Sequence, residues 1–428
     1  MKAPSPPRRD LVFVSAGLEL DGGGRALAGR LLATASAAYA RERGIGWSLL
    51  SLGGLDGFAQ GGGARAFAGR QGAMALAVWR RQLAAGRGIA FVYDLLGPAR
   101  AQAWLPAPLR APYLVALYGI EVWRRLSGSR SRALRQATVR LATSSYTVAG
   151  ARAANRDFGP VEVLPLCLEE RPPAGEIDGA LLDRAGRDYL LIVGRMAASE
   201  RYKGHEQLLH AMTRLPGAAS GANLSPRLPA AGNVRPRLPA AGNVQLRLPA
   251  AGNVRPRLVI AGDGDDRLRL EALAASLGLS DRVLFTGFVS EATLAELYAR
   301  AAVFVMPSRG EGFGLVYLEA MRAGRPCVAA RASAAEEIVA DGETGLLADP
   351  LDPDAIAGAL GRLLAAPDLA RTMGEAGRRR LERLFTPRRF RERLWPLLDR
   401  LTCEAGDQAA AHRTGPAVDA GTSDRLSG

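Results

Sequence analysis

The chain has 428 residues, 48% of them hydrophobic, and a formal net charge of +14 at pH 7. This length predicts about two domains, each with a substantial core. The chain has only three histidines, which argues against a histidine-based metal site. Its three cysteines lack metal or redox spacing, which fits a reducing compartment. The apolar runs are too short for a membrane-spanning helix or a signal peptide, so we expect a cytoplasmic protein.

Alternating strands and helices make up the first half, which is typical of a parallel sheet covered by helices. Apolar runs predict strands at 11–15, 47–51, 89–93, 113–117, 139–144 and 161–165. Helices are expected from about 24 to 43 and from 65 to 85. Asp94 and Tyr118 directly follow the third and fourth strands, at the sheet edge where ligands of open α/β folds collect. Asp94 can equally well cap the turn after its strand.

A glycine run at 21–24 separates the first strand from the first helix. Free backbone N–H groups at a helix N-terminus attract phosphate, and glycines let a ligand approach the backbone. The run is not a G-x-G-x-x-G motif, so by itself it is a weak signal.

The first half also carries most of the net charge. Residues 1–165 contain 22 Lys and Arg against 9 Asp and Glu, a net charge of +13, whereas residues 166–428 contain 34 against 33, a net charge of +1. Six arginines are expected on or beside a basic helix: Arg124, Arg125, Arg130, Arg132, Arg135 and Arg140. Such a surface suits an anionic membrane or acceptor, and the alternative is a solvated face. Nucleic acid is the competing partner, but the helix lacks aromatic platforms for single strands, so none is expected.

The first strand of the second half, 189–193, is followed by Arg195 and, eight residues later, by Lys203. Among 56 basic residues only Lys2 and Lys203 are lysines, so a lysine in this strand–loop–helix turn is a specific signal. Arginine offers a fork of donors and lysine a compact charge, and both suit phosphate. The alternative is a solvated surface lysine.

Residues 226–256 hold a ten-residue repeat, PRLPAAGNVR and near copies of it. Pro, Gly and Asn recur in each copy and predict a turn, and the unit is too short for the common solenoids. We interpret the repeat as a mobile surface insert between a helix and the next strand.

The most informative stretch follows the apolar strand 302–306. Its loop contains Glu311-Gly312-Phe313-Gly314-Leu315, and Glu319 lies in the helix that begins there. This pattern resembles the E-x7-E signature of family 4 retaining glycosyltransferases, which have the GT-B fold. The resemblance covers about residues 10–400.

The resemblance implies a nucleotide-sugar site. Arg195 and Lys203 would grip the donor pyrophosphate in place of a metal, with Gly22 and Gly23 against the same diphosphate. Glu311 would orient the sugar hydroxyls, and Glu319 would hold the ribose. The further donor contacts that it implies are Gly194, Gly262, Gly264, Phe288, Val289, Gly312, Phe313 and Gly314.

Two positions depart from the family pattern. Tyr118 stands where many relatives have a histidine that contacts the donor sugar, and tyrosine is no imidazole acid or base near neutral pH. Tyr118 and Asp94 remain candidates near the reacting carbon. Residues 333–337 read Ser-Ala-Ala-Glu-Glu where relatives often have Gly-Gly-x-Pro-Glu.

The fold class that the resemblance implies is α/β of the GT-B type: two Rossmann-like domains face each other across a cleft, and a C-terminal helix crosses back to the first domain. The predicted segments are an acceptor-binding domain at 1–167, a linker at 168–187 and a nucleotide-sugar-binding domain at 188–387. A crossover helix at 388–402 and a disordered tail at 403–428 follow.

The expected activity is transfer of a sugar from a nucleotide donor to an acceptor hydroxyl, without metal or cofactor. The partners would be the donor and a glycan or lipid-linked acceptor of a cell-surface glycan, lipopolysaccharide or glycolipid pathway, with peripheral contact to the inner membrane face. Two alternatives stay open: a nucleotide-sugar epimerase of the same fold, and a non-catalytic nucleotide-sugar-binding subunit.

Overall fold

The computed structural model describes residues 8–19, 23–55, 58, 63–155, 157–169, 173–215 and 255–403. Residues 226–254 of the predicted repeat insert, 404–428 of the predicted tail, and Gly22 lie outside the described residues.

The first domain is built on a seven-stranded parallel sheet. Its strands are β1 (Asp10–Ser15), β2 (Trp47–Ser51), β3 (Ala64–Ala66), β4 (Ile89–Tyr93), β5 (Tyr113–Leu117), β6 (Val139–Ala142) and β7 (Glu162–Val163). They are arranged in the order β3-β2-β1-β4-β5-β6-β7. Its helices are α1 (Gly23–Arg43), α2 (Gln71–Ala85), α3 (Leu96–Ala103), α4 (Gly128–Gln136) and α5 (Ser145–Ala154). The central strands β4 and β5 are buried throughout, as expected for a sheet covered on both faces.

The second domain holds a six-stranded parallel sheet. Its strands are β8 (Tyr189–Val193), β9 (Leu258–Ala261), β10 (Val283–Gly287), β11 (Ala301–Met306), β12 (Cys327–Ala330) and β13 (Gly345–Ala348). Their order is β10-β9-β8-β11-β12-β13. The helices are α6 (Gly179–Ala185), α7 (His205–Met212), α8 (Arg267–Ser276), α9 (Glu291–Arg300), α10 (Leu315–Arg322), α11 (Pro353–Ala365) and α12 (Pro367–Leu384).

The last described helix, α13 (Pro387–Thr402), packs against α1 and the sheet of the first domain. The Tyr39 hydroxyl lies 2.8 Å from Oδ1 of Asp399 and 2.7 Å from Oγ1 of Thr402, and Arg8 forms an ion pair with Asp399. The predicted crossing of the C-terminal helix is thereby confirmed.

Three details differ from expectation. The helix expected from 65 begins only at Gln71, because Ala64–Ala66 pairs with β2 as an edge strand and a positive φ at Ala68 separates the two elements. Pairing across the sheet has overridden the alanine-rich local pattern.

Part of the predicted linker 168–187 is helical. The Asp178 side chain caps α6, and Leu181 and Leu182 are buried, with α6 packed against α9. This helix is therefore part of the second domain.

Arg140 does not belong to the basic surface. It lies in β6 and is buried, and its guanidinium donates to the carbonyls of Leu134 and Arg135 at the end of α4. The remaining five arginines of the predicted basic segment are exposed.

Among the described residues, no helix is both long and apolar enough to cross a membrane.

Candidate functional site

A cavity of about 370 Å³ lies in the cleft between the two domains. It opens at the carboxyl ends of both parallel sheets, because its walls come from the loops after β5, β6, β8 and β11 and from the start of α1. Predicted site residues from both domains meet there: the lining includes Tyr118, Arg195, Lys203, Glu311, Gly312, Phe313 and Gly314. Ligands of open α/β sheets bind at such strand ends.

The two predicted cations lie on one loop of the second domain. Arg195 follows β8, and Lys203 ends the 3₁₀ turn Ala198–Lys203. Both pair with Glu200: the Lys203 ammonium is 3.3 Å from Oε2, and the Arg195 guanidinium binds Oε1. The Arg195 side chain is 67% exposed, whereas that of Lys203 is 16% exposed. A solvent-exposed arginine and a largely buried lysine thus border the same wall of the cleft.

The loop that carries these cations is fixed from behind by Asp266. Its carboxylate accepts hydrogen bonds from Arg201, at 2.7 Å, and from Arg269, at 2.7 Å. Hydrogen bonding from Arg269, followed by that from Arg201, lowers the pKa of Asp266 to about 2. Its backbone N–H also donates to the Met196 carbonyl at 2.8 Å. Asp266 stays ionised at neutral pH and holds the loop in place.

Three glycines predicted as donor contacts support this loop. A Cβ on Gly262 would overlap the carbonyl of Gly194, and one on Gly264 would overlap that of Met196. Gly194 lies beside the Lys203 amine. None of the three glycines is among the residues that line the cavity, so their visible role is close backbone packing.

The Glu311 loop connects β11 to α10. Gly314 has a φ of +102° directly before α10, a conformation that favours glycine. Burial raises the pKa of Glu311, the nearby Lys203 lowers it, and Glu200 raises it. The carboxylate therefore lies within electrostatic reach of the loop that holds the cations.

Gly312 joins the two domains. A Cβ at this position would overlap the backbone carbonyl oxygen of Tyr118. The Gly312 carbonyl accepts three hydroxyl hydrogen bonds from the first domain, from Ser144 Oγ at 2.6 Å, Thr143 Oγ1 at 3.1 Å and Thr147 Oγ1 at 3.2 Å. It is therefore held by hydroxyl groups of the other domain.

A second contact between the domains lies nearby. The Tyr146 N–H donates to Glu337 Oε1 at 2.9 Å. The segment 333–337, which departs from the family pattern, thus takes part in the contact between domains.

Tyr118 faces the cleft from the end of β5. Its phenolic oxygen is buried and has no hydrogen-bond partner among the described residues. Burial, and then the charges of Asp94 and Glu121, raise the pKa of this phenol above its usual value. Tyr118 therefore remains a protonated hydrogen-bond donor at neutral pH.

Asp94 lies behind this wall and does not line the cavity. The residue is 3% exposed, and its carboxylate accepts hydrogen bonds from the Ser15 hydroxyl and from the Ala16 N–H, the latter at 3.0 Å. Burial raises its pKa to about 7. The carboxylate therefore holds the turn after β1, whereas the sequence interpretation had it capping the turn after its own strand.

None of the remaining predicted donor contacts that the structure describes is among the residues lining the cavity. Glu319 accepts a hydrogen bond from the Tyr298 hydroxyl at 2.8 Å, and burial raises its pKa. Phe288, 80% exposed, and Val289 line a second cavity of about 380 Å³ between the β10–α9 loop and α6. Gly23 opens α1 with a φ of +70°, next to residues of the first cavity.

Among the described residues, no group of three or more His, Cys, Asp or Glu could hold a metal ion.

Part of the second domain matches a known family. Residues 240–380, about a third of the chain, match the family described as glycosyl transferases group 1. The remainder of the second domain, including the loop of Arg195 and Lys203, lies outside this match. The D-inositol 3-phosphate glycosyltransferase of Acidothermus cellulolyticus is 50% identical to this chain over 96 residues, which are 22% of this chain and 21% of that protein. The matched part thus spans about a fifth of the length of this curated relative.

Solved structures share the fold over about nine tenths of the chain, well beyond the segment that matches the family. Sucrose-phosphate synthase from Thermosynechococcus elongatus has a TM-score of 0.68 at 22% identity, over 92% of this chain and 99% of that one. HepE from Anabaena, in complex with UDP and glucose, has a TM-score of 0.66 at 16% identity, over 91% and 100%. These likenesses confirm the predicted GT-B fold with two Rossmann-like domains.

The sequence interpretation missed several residues of the cleft. On the second domain these are Glu200 and Tyr202, and on the first domain Arg25 and Thr143. Arg25 could have been predicted from the sequence, since it directly follows the glycine run at the start of α1. Glu200 could also have been predicted, because it is a carboxylate between the two predicted cations. Thr143 could not, because its role depends on contact with the other domain.

Proposed function

We propose that the protein transfers a sugar from a nucleotide-sugar donor to an acceptor hydroxyl, with retention of configuration at the anomeric carbon. The observation that carries the proposal is the single cleft in which Arg195, Lys203 and Glu311 come together. Fixed cations suit the charge that develops on a departing nucleoside diphosphate. The match to the group 1 family and the name of the Acidothermus relative support the same class of activity.

In this proposal each part of the cleft has one task. Arg195 and Lys203 bind the diphosphate, with the start of α1 facing them from the first domain. Glu311 accepts hydrogen bonds from the sugar hydroxyls, because a carboxylate is a strong acceptor. Tyr118 offers its unpaired hydroxyl to the donor sugar. The acceptor then enters from the first domain, and a glycan or lipid-linked acceptor of a cell-surface polymer fits that arrangement.

The test is a panel of UDP-, GDP- and ADP-sugars, read by thermal shift and by released nucleoside diphosphate. We expect one donor to raise the melting temperature and to be hydrolysed slowly without acceptor. An epimerase would instead release free sugar or epimer as its main function without needing an acceptor. A non-catalytic subunit would be stabilised without any turnover. No stabilisation by any donor would contradict the proposal.

We also propose peripheral contact with an anionic membrane through the first domain. The support is the net charge of +13 in residues 1–165, together with exposed arginines on and beside α4 such as Arg125, Arg130 and Arg132. Basic surfaces are attracted to the anionic cytoplasmic leaflet.

A further inference from the structure

We propose that Glu200 is an internal counterion that competes with the donor diphosphate for Arg195 and Lys203 and so speeds release of the nucleoside diphosphate. This inference rests on the proposed function, because it concerns the same two cations. The sequence pattern had assigned no role to Glu200.

The Glu200 carboxylate lies between the two cations. One of its oxygens binds the Arg195 guanidinium, and the other lies 3.3 Å from the Lys203 ammonium. The Glu200 side chain is only 14% exposed and lines the cleft. An anion that binds both cations must therefore displace this carboxylate or share the cations with it.

The charges that line the cleft are balanced. The Arg, Lys and Glu residues there are three cations and three carboxylates, namely Arg25, Arg195, Lys203, Glu121, Glu200 and Glu311. Their formal charges cancel when all are ionised. Removal of the Glu200 charge would leave an excess positive charge where a diphosphate binds, and this charge would act within a partly buried site of low dielectric.

The shape of the loop depends on residues other than Glu200. Arg201 is held by Asp266, and the Ala198 N–H donates to Asp265 Oδ1 at 2.7 Å. The backbone of Glu200 departs from helical geometry within the 3₁₀ turn, with φ −118° and ψ 24°. Because these anchors lie on other residues, the Glu200 carboxylate is available to act on the cations.

The consequence concerns the end of the reaction. A nucleoside diphosphate is the leaving group and also the product, so cations that stabilise it during transfer also retard its departure. Product release limits turnover in many enzymes. A carboxylate that takes back both cations as the product leaves lowers this barrier without removing either cation from the transfer step.

The experiment measures nucleoside diphosphate binding to the full chain. UDP, GDP and ADP are titrated by calorimetry at low and moderate salt into the wild type, Glu200→Gln, Glu200→Asp and Glu375→Gln. Glu375 is the matched control, because it also pairs with an arginine, Arg371 at 3.1 Å, and does not line the cleft. We expect Glu200→Gln to bind the preferred nucleotide about tenfold tighter and to release it more slowly in stopped-flow displacement. Glu200→Asp, which keeps the charge, should stay near the wild type, as should Glu375→Gln.

Equal or weaker nucleotide binding by a folded Glu200→Gln variant would overturn the inference, since Glu200 would then only position the cations. If Glu200→Gln loses its cooperative melting, weaker binding by Glu200→Asp overturns the inference instead. A wild type that binds none of the three nucleotides would overturn the proposed function, which is a different outcome.

Discussion

Single charged residues define the chemistry of the cleft. Lys203 is nearly buried, lies close to Glu200, and lowers the pKa of Glu311 against the effect of burial. Each of these charges is therefore costly to leave without a partner. A ligand that supplies matching charge or hydroxyl groups would satisfy them.

Lys203→Ala and Glu311→Ala should each reduce donor turnover by about 10²-fold or more, because each removes a fixed group that would act on charge in the transition state. Released nucleoside diphosphate is the measurement. Glu375→Ala is the control, since Glu375 pairs with Arg371 on the exposed face of α12. Near-wild-type rates in both cleft variants would refute the site assignment.

Donor turnover should survive EDTA. The proposed neutralisation of the diphosphate comes from Arg195 and Lys203, so removal of divalent ions should leave the rate unchanged within about twofold. The rate is compared before and after dialysis against EDTA, with Mg²⁺ added back. A strict need for Mg²⁺ would contradict the role given to the two cations.

Asp94 should make stability depend on pH. Its pKa is raised by burial to about 7 in the folded protein, whereas an unfolded aspartate titrates near 3.9. The native state therefore binds more protons than the unfolded state between these values, and stability falls as pH rises through this window. From pH 5 to pH 8 the loss is on the order of 2–3 kcal/mol.

Thermal unfolding of the wild type and of Asp94→Asn at pH 5, 6, 7 and 8 checks this expectation. The fall in melting temperature with pH should be smaller in the variant, because the group that titrates is gone. Identical slopes would show that Asp94 does not titrate in this range.

At the level of elements, the cleft is where loops from two sheets interlock. The β11–α10 loop offers the Gly312 carbonyl to hydroxyls of the β6–α5 turn, and no side chain fits between that loop and Tyr118. The strand–loop–helix order of this segment followed from its sequence, because a buried apolar run, a glycine loop and helical spacing are local patterns. The contact of this loop with the first domain could not be predicted from the sequence, because Gly312 and Ser144 are far apart along the chain.

Gly312→Ala should disrupt this contact and cut donor turnover by about 10²-fold, since displacements of about 1 Å in a catalytic site can have that effect. Gly358→Ala is the matched control, because Gly358 lies in α11 and an alanine Cβ there would meet no atom within 4 Å. The control should retain full activity and melt slightly higher, because alanine stabilises a helix interior by about 0.5–1 kcal/mol relative to glycine. Full activity of Gly312→Ala would show that the loop can shift without consequence.

The whole molecule is asymmetric in charge. Residues 1–165 carry a net charge of +13, whereas residues 166–428 carry only +1. The GT-B arrangement places the cleft between the two domains. An anionic acceptor or membrane would therefore be attracted by the basic first domain, while the nearly neutral second domain would add little attraction or repulsion.

Vesicle flotation should reveal this asymmetry. We expect binding to vesicles with an anionic lipid at low salt and loss of binding as salt screens the surface, with little binding to zwitterionic vesicles. Arg130→Glu combined with Arg132→Glu should weaken binding several-fold or more, at about 1 kcal/mol per removed cation. The control pair is Arg371→Glu with Arg388→Glu, on α12 and α13. Equal loss in both pairs would indicate a general charge effect and contradict a specific basic face.

The sequence alone determined the parts of this protein that depend on short-range order. The alternation of strands and helices, the Glu311 loop and the pair Arg195 and Lys203 follow from periodic apolar runs, glycine turns and unusual residue choice, all of which are read within about twenty residues. The arrangement of two facing Rossmann-like domains came from the resemblance to family 4 glycosyltransferases. Packing between distant segments decided the rest. It buried Arg140 within the first domain, turned Asp94 toward Ser15 and placed Glu200 between the two cations. These outcomes depend on which loops meet when the sheets are assembled, and no local pattern contains that information.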